Sequence, residues 1–230
     1  MTAAELARTI DSTNLRLDAT EADLAALCAE AASHRFACVM LYPTNVALAA
    51  RLLAGSGVRV GTVVGFPSGR ASVAAKRAEV EAARAAGADE VDIVMNYPAL
   101  REGRPGEVAA ELGALVACAH DLGLLVKVIV ETCYLDAPQR LAALRLCEDA
   151  RADFIKTSTG FGSAGANPEH LRAWAAARTR PIALKASGGI KTLADARALI
   201  AAGAQRLGTS GAAALVAELQ GQPAAATGDY

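Results

Sequence analysis

Aromatic residues are scarce. Four phenylalanines, four tyrosines and one tryptophan make up 4% of the 230 residues, while hydrophobic residues of all kinds reach 53%, so the core must be aliphatic. A surplus of charge is missing too. With 23 Lys and Arg against 24 Asp and Glu, the formal net charge is −1, and the lack of a broad basic field argues against nucleic acid as the main partner. No uninterrupted apolar run is long enough to cross a bilayer, and no charged-then-apolar segment precedes a small-residue cleavage site. A cytoplasmic location without membrane contact is the expectation.

Metal and disulfide patterns are absent as well. Cys28, Cys38, Cys118, Cys133 and Cys147 are odd in number and form no CxxC pair; they read as reduced, mostly buried small hydrophobes. His34, His120 and His170 lie far apart, each within or at the end of an expected helix, without HxH or HExxH spacing, so no metal centre is expected. No GxGxxG follows an early strand. That weakens an open, doubly wound dinucleotide-binding sheet.

What is present is a repeated alternation. Short β-branched runs (RTIDST, FACVMLY, VRVGTVVGF, DEVDIVMNY, LLVKVIVET, DFIKTSTG, PIALKASGG, QRLGTS) alternate with alanine-rich amphipathic segments. Thr20 is placed to cap a helix over 21–34, and Gly87 to close the one over 72–87. Strands that are continuously apolar imply a parallel sheet covered by helices. Eight such units predict a single (β/α)₈ barrel over residues 1–219, followed by a flexible tail, 220–230, ending in Tyr230.

Such a barrel carries its chemistry at the C-terminal strand ends, where polar residues should gather. They do: Asp11 in the first unit, Asp92 in the fourth, Lys127 in the fifth, Lys156 in the sixth and Lys185 in the seventh. A lone lysine at a strand end is ordinarily a surface group whose stem packs on apolar neighbours. Three on successive strands favour a neutral amine, through mutual repulsion and partial desolvation, and a neutral amine attacks carbonyls to form a Schiff base. Asp92 fits a proton relay or a structural ion pair. The loops KASGGI and LGTSGAA put small residues at helix starts after strands 7 and 8, where backbone N–H groups favour a phosphate; Gly188, Gly189 and Ser210 are the candidate donors, with tight turns as the plain alternative. GFPSGR, residues 65–70, is accounted for by turn chemistry.

The ordered motifs IDST, TVVGFPSG, EVDIVMN, VKVIVET, ADFIKTSTGF, LKASGGI and LGTSG, from about residue 8 to 219, resemble those of the 2-deoxyribose-5-phosphate aldolases. The resemblance implies a class I aldolase that needs no metal or other cofactor and reversibly cleaves 2-deoxy-D-ribose 5-phosphate into acetaldehyde and D-glyceraldehyde 3-phosphate. It implies Lys156 as the Schiff-base residue, Lys185 as the lysine that perturbs it, Asp92 as relay carboxylate, and Asp11 and Lys127 as polar neighbours. Thr157 and Gly160 of the KTSTG turn, with Gly188, Gly189, Gly208 and Ser210, would surround the substrate. Tyr230 would visit the mouth to assist proton exchange, and a homodimer is the implied assembly. This chain departs from the pattern at Phe161, where some members have a basic residue, and at Met40, where many have cysteine. Another Schiff-base sugar-phosphate aldolase and a silent sugar-phosphate-binding barrel are the alternatives.

Overall fold

Eight parallel strands close into a barrel in chain order: β1 (Ile10–Thr13), β2 (Cys38–Leu41), β3 (Arg59–Val64), β4 (Glu90–Val94), β5 (Leu125–Ile129), β6 (Phe154–Lys156), β7 (Ala183–Ser187) and β8 (Arg206–Thr209). The computed structural model describes residues 1–222. Helix α1 (Ala3–Ala7) precedes the barrel. The crossovers are α2 (Glu21–His34), α3 (Val46–Leu52), α4 (Val73–Ala85), α5 (Tyr97–Arg101) with α6 (Pro105–Asp121), α7 (Ala137–Asp149), α8 (Pro168–Ala177) and α9 (Leu193–Ala201), and α10 (Ala212–Leu219) follows β8. The predicted (β/α)₈ order is what forms. Of the tail, residues 223–230, Tyr230 among them, lie outside the described residues.

Local signals set these boundaries. Thr20 accepts from the backbone N–H of Asp23 and so caps α2, and Ser72 caps α4 in the same way through Ala75. Gly87, at φ +99°, lies just beyond α4 and lets the Ala88 N–H return to the Ala83 carbonyl. His34 ends α2, His120 sits in the last turn of α6 and His170 in the first turn of α8. Two helices, α1 and α5, have no counterpart in the sequence reading. Each is five residues long, too short for a 3.6-residue period to show.

Alternation along each strand decides what lies inside the barrel and what lies under the helices. Val39 and Leu41 of β2, Val91 and Ile93 of β4, Val126 and Val128 of β5, with Ile155, Leu184 and Leu207, pack outward in one large aliphatic cluster with the helices. Burying each such side chain contributes roughly 1.5–3 kcal/mol. The inward set is different in kind. Cys38, Met40, Val63 and Leu15 form a small apolar plug, and most of the remaining lumen is charged. Gly61 faces Met40: a Cβ there would lie 2.3 Å from the thioether sulfur, so glycine is what admits the methionine.

The GFPSGR turn is fastened from behind. Lys76 of α4, wholly buried, donates to the carbonyls of Gly69 and Val94 at 2.7 Å each and to Glu111 Oε1 of α6 at 2.6 Å. All three ammonium protons are thereby satisfied, which makes a buried charge tolerable. Glu79 Oε2 accepts from the Gly65 N–H at 2.7 Å, and Gly69, at φ +70°, packs so close to the Met95 carbonyl that a Cβ would stand 2.1 Å from its oxygen. The turn carries Phe66 to the rim, where its ring meets Phe161 edge-on with centroids 5.3 Å apart.

Candidate active site

Five strands deliver the candidate groups to one place. Parallel register sets Asp92 beside Lys127 and Lys156 beside Lys185, and pleating turns these side chains to the lumen. Asp92 then stands at the centre. Its Oδ2 accepts from Lys156 Nζ and Lys185 Nζ, each at 2.7 Å, and its Oδ1 from Lys127 Nζ at 2.9 Å. Lys185 also reaches Asp11 Oδ2 at 2.5 Å, and Lys127 lies 2.5 Å from Glu90 Oε2. Lys127, Lys185, Asp11 and Asp92 are wholly buried, whereas Lys156 keeps 4% of its surface and opens on the mouth.

Burial and charge act differently on Lys156 and Lys127. At Lys156, burial is the largest influence and lowers the pKa to about 8; Lys185 and Lys127 push the same way, and Asp92 opposes them. About a tenth of this amine is then neutral at pH 7, against roughly three parts in ten thousand for an unperturbed lysine. At Lys127 burial also acts downward, but Asp92, Asp11 and Glu90 outweigh it and hold the pKa well above its ordinary value. Asp92 is pressed upward by burial, yet the three ammonium groups keep it well below the usual carboxylate range. Burial, helped by repulsion from the neighbouring lysines, therefore favours the neutral amine at Lys156, whereas at Lys127 the interleaved carboxylates reverse the balance.

Beside Lys156 runs a cleft of about 710 Å³, partly open to solvent. Gly160, Gly188, Gly189, Gly208 and Ser210 line it. Gly188 and Gly189 have φ of +83° and +74°, and the close packing of Gly165 against the Gly188 carbonyl leaves no room for a Cβ at 165. Gly208 has a second task. A Cβ there would lie 3.3 Å from Lys185 Cε and 3.0 Å from Ser187 Cβ, so its bareness makes room for the Lys185 stem.

Three expected substrate contacts stand elsewhere. Asp11 and Lys127 are sealed beneath the mouth and act on the cleft through other charges. Thr157 is wholly buried; its hydroxyl donates to the Ser187 carbonyl at 3.3 Å and accepts from the Ser187 N–H at 3.1 Å, clamping β6 to β7. Phe161 packs on Phe66 rather than lining the cleft. Reading from sequence missed Lys191, which does line it; Thr209 of LGTSG lines it as well, and Glu131, another polar residue at the end of the fifth strand, accepts through its carboxylate from the hydroxyl of Thr159 and so holds the turn after Lys156.

Below the mouth, Asp11, Cys38 and Glu90 each bring one donor atom within 4.8 Å of the others. The set suits ion pairing better than a divalent cation. Arg206 and Lys127 already adjoin both carboxylates, and burial, then Glu90 and Asp11, push the Cys38 thiol well up.

Buried lysines sharing one carboxylate beside a glycine-lined cleft form an arrangement able to carry out nucleophilic chemistry on a carbonyl compound. Comparison with known families gives the same answer: the model of the DeoC/LacD family aldolases matches residues 6–221. The chain belongs to this aldolase family. It is 41% identical over 220 residues to the deoxyribose-phosphate aldolase of Aciduliprofundum boonei, covering 96% of this chain and 99% of the relative. The Bacteroides thetaiotaomicron deoxyribose-phosphate aldolase is 43% identical over 206 residues, or 90% of this chain and 87% of that one. Among solved structures, the deoxyribose phosphate aldolase of Aeropyrum pernix, described as a unique tetramer, superposes with a TM-score of 0.89 at 34% identity, over 95% of this aldolase and 92% of that chain.

Proposed function

We propose that this aldolase cleaves 2-deoxy-D-ribose 5-phosphate reversibly into acetaldehyde and D-glyceraldehyde 3-phosphate, with Lys156 as the covalent residue. The observation that carries the assignment is the position of Lys156: it alone among the three lumenal lysines lines the cleft, and its pKa is lowered to about 8. Neutral Nζ adds to C1 of the open-chain sugar, and loss of water gives an iminium. Removal of the proton from the C3 hydroxyl breaks the C2–C3 bond, whose electron pair enters the iminium as glyceraldehyde 3-phosphate departs. The resulting enamine takes a proton at C2, and hydrolysis releases acetaldehyde and restores the amine.

The geometry supports a role for each neighbour. An iminium carries the same charge as the ammonium it replaces, so Asp92 stabilises both without rearrangement. Asp92 and Lys185, 2.7 Å apart, form the proton path beside the reacting carbon. Gly188, Gly189, Gly208 and Ser210 are proposed to hold the phosphate end, with Lys191 supplying there the cation that position 161 lacks. Tyr230 is proposed to assist protonation at C2; it lies outside the described residues. Activity on deoxyribose 5-phosphate that exceeds activity on unphosphorylated deoxyribose and on other sugar phosphates is the expected result of substrate profiling. A different preferred sugar phosphate would move the chain to another reaction of its family.

Met40 gives a second expectation. The side chain is buried beside Leu15, which lines the cleft, and a thioether does not add to aldehydes. Activity of the Met40→Cys variant should decay severalfold faster than that of the parent in concentrated acetaldehyde; equal half-lives would count against a protective role. For assembly, a homodimer is proposed, and light scattering distinguishes it from a tetramer such as the Aeropyrum pernix relative forms. A cytoplasmic location is proposed with it. No helix among the described residues is long and apolar enough to cross a membrane.

A further inference from the structure

Beneath the reacting groups the barrel holds charges that the proposed steps do not use. Glu90 stands two residues before Asp92 on β4, and Arg206 two before Gly208 on β8, so both face the lumen. Arg206 donates through Nη1 to Asp11 Oδ1 and through Nη2 to Glu90 Oε1, the latter at 2.9 Å, with its guanidinium 5.8 Å from the centre of the Phe154 ring. Glu90 is wholly buried, and Arg59 at the barrel base reaches it at 3.1 Å from a half-exposed position.

Counting the lumen shows why this layer matters to Lys156. Four buried cations (Lys127, Lys156, Lys185, Arg206) face three buried carboxylates (Asp11, Glu90, Asp92), a surplus of one positive charge when all are ionised. Within 4 Å, Lys127 meets three of these carboxylates, Lys185 two, Arg206 two and Lys156 one. The surplus proton is least costly to remove at Lys156. Two further titratable groups border these charges, Glu131 near Lys156 and Cys38 among Asp11, Glu90 and Lys127. The Glu131 carboxyl on the mouth side is raised by burial and bound to Thr159, and the Cys38 thiol on β2 is pushed well up.

We infer that Arg206 and Glu90 are positioning residues that fix the charge count inside the barrel and so make Lys156 the lysine that gives up its proton. Neither touches the cleft; both act through Asp11, Lys127, Lys185 and Asp92. The inference rests on the Schiff-base role proposed above, and its predictions have opposite signs. Removing the Arg206 cation leaves three against three, which holds the proton on Lys156 more tightly. Removing the Glu90 anion leaves four against two, which loosens it.

The test is reductive ethylation of Lys156 by acetaldehyde and cyanoborohydride, followed by peptide mass across a pH series. Arg206→Met should move the midpoint for labelling upward by about one pH unit, a tenfold loss of reactive amine at fixed pH, and Glu90→Gln should move it downward by a similar amount. Arg206→Lys, which keeps the charge, should return the midpoint towards the parent value. Midpoints that coincide with the parent's, or that move in the same direction in both variants, overturn the inference while leaving the Schiff-base role intact. No label on Lys156 in the parent itself overturns that role first. Should Arg206→Met fail to fold, Glu90→Gln decides by the sign of its shift.

Discussion

Lys156→Met is expected to lose cleavage of 2-deoxyribose 5-phosphate by a factor on the order of 10⁵ or more, because neither of the other lumenal lysines, Lys127 and Lys185, lines the cleft to form the covalent intermediate in its place. The same variant is expected to be more stable than the parent. Below pH 8 the folded protein must keep a proton on a buried amine whose pKa lies at about 8 rather than its ordinary 10.5, and that mismatch costs stability. The penalty is fully present below the folded value. It fades as pH rises from about 8 towards 10.5, where the unfolded chain alone still binds the proton. Relief of about 1–3 kcal/mol at pH 7, shrinking towards alkaline pH, is the expected signature in chemical denaturation. Removal of one cation also leaves three charges of each sign in the lumen. A variant that is inactive and destabilised at every pH would contradict the idea that the lysine is held under electrostatic tension.

Asp92→Asn should show the reverse pattern. The carboxylate accepts from three ammonium groups, and an amide can neither neutralise them nor offer two acceptor oxygens. Leaving that many buried cations short of a partner is expected to cost about 3–5 kcal/mol of stability. Turnover should fall by about 10²–10⁴, the usual size of a lost general acid–base group. Labelling of Lys156 by acetaldehyde and borohydride should nevertheless persist. Loss of Asp92 removes the anion that favours the ammonium form, so the amine stays competent to attack even though the later proton steps are slow. Retained turnover with normal stability would demote Asp92 to one ion pair among several.

The two variants separate tasks that the sequence presents together. Lys156, Lys185, Asp92 and Lys127 were legible because each ends or interrupts an apolar strand run, and period-two alternation assigns all four to one face. Glu90 and Arg206 obey the same alternation, two residues earlier, but charges at the start of a run read as strand boundaries rather than as lumen. Counting backwards by two from Asp92 and from Gly208 would have found them. Thr157 was misplaced for a different reason: adjacency to Lys156 in sequence put it on the opposite face of β6, where it clamps Ser187 instead of meeting substrate. The fastening of the GFPSGR turn by Lys76 and Glu111 involves residues 35 positions apart on two helices, and local pattern carries no trace of it.

The interior of this barrel also shows what alternation alone cannot give. Strand runs such as EVDIV and LVKVI read as apolar because their outward residues are valine and isoleucine, yet their inward residues include Glu90, Asp92 and Lys127. The ionic lumen is therefore hidden inside strands whose hydrophobic half supplies the fold. Its charges are tolerable because nearly every one meets an opposite partner within 3 Å.

Borohydride reduction in the presence of acetaldehyde, followed by peptide mapping, tests the central claim most directly. The expected product is a single ethyl adduct on Lys156, formed faster as pH rises through about 8. An adduct on Lys185 or Lys127 instead, or none at all, would contradict it.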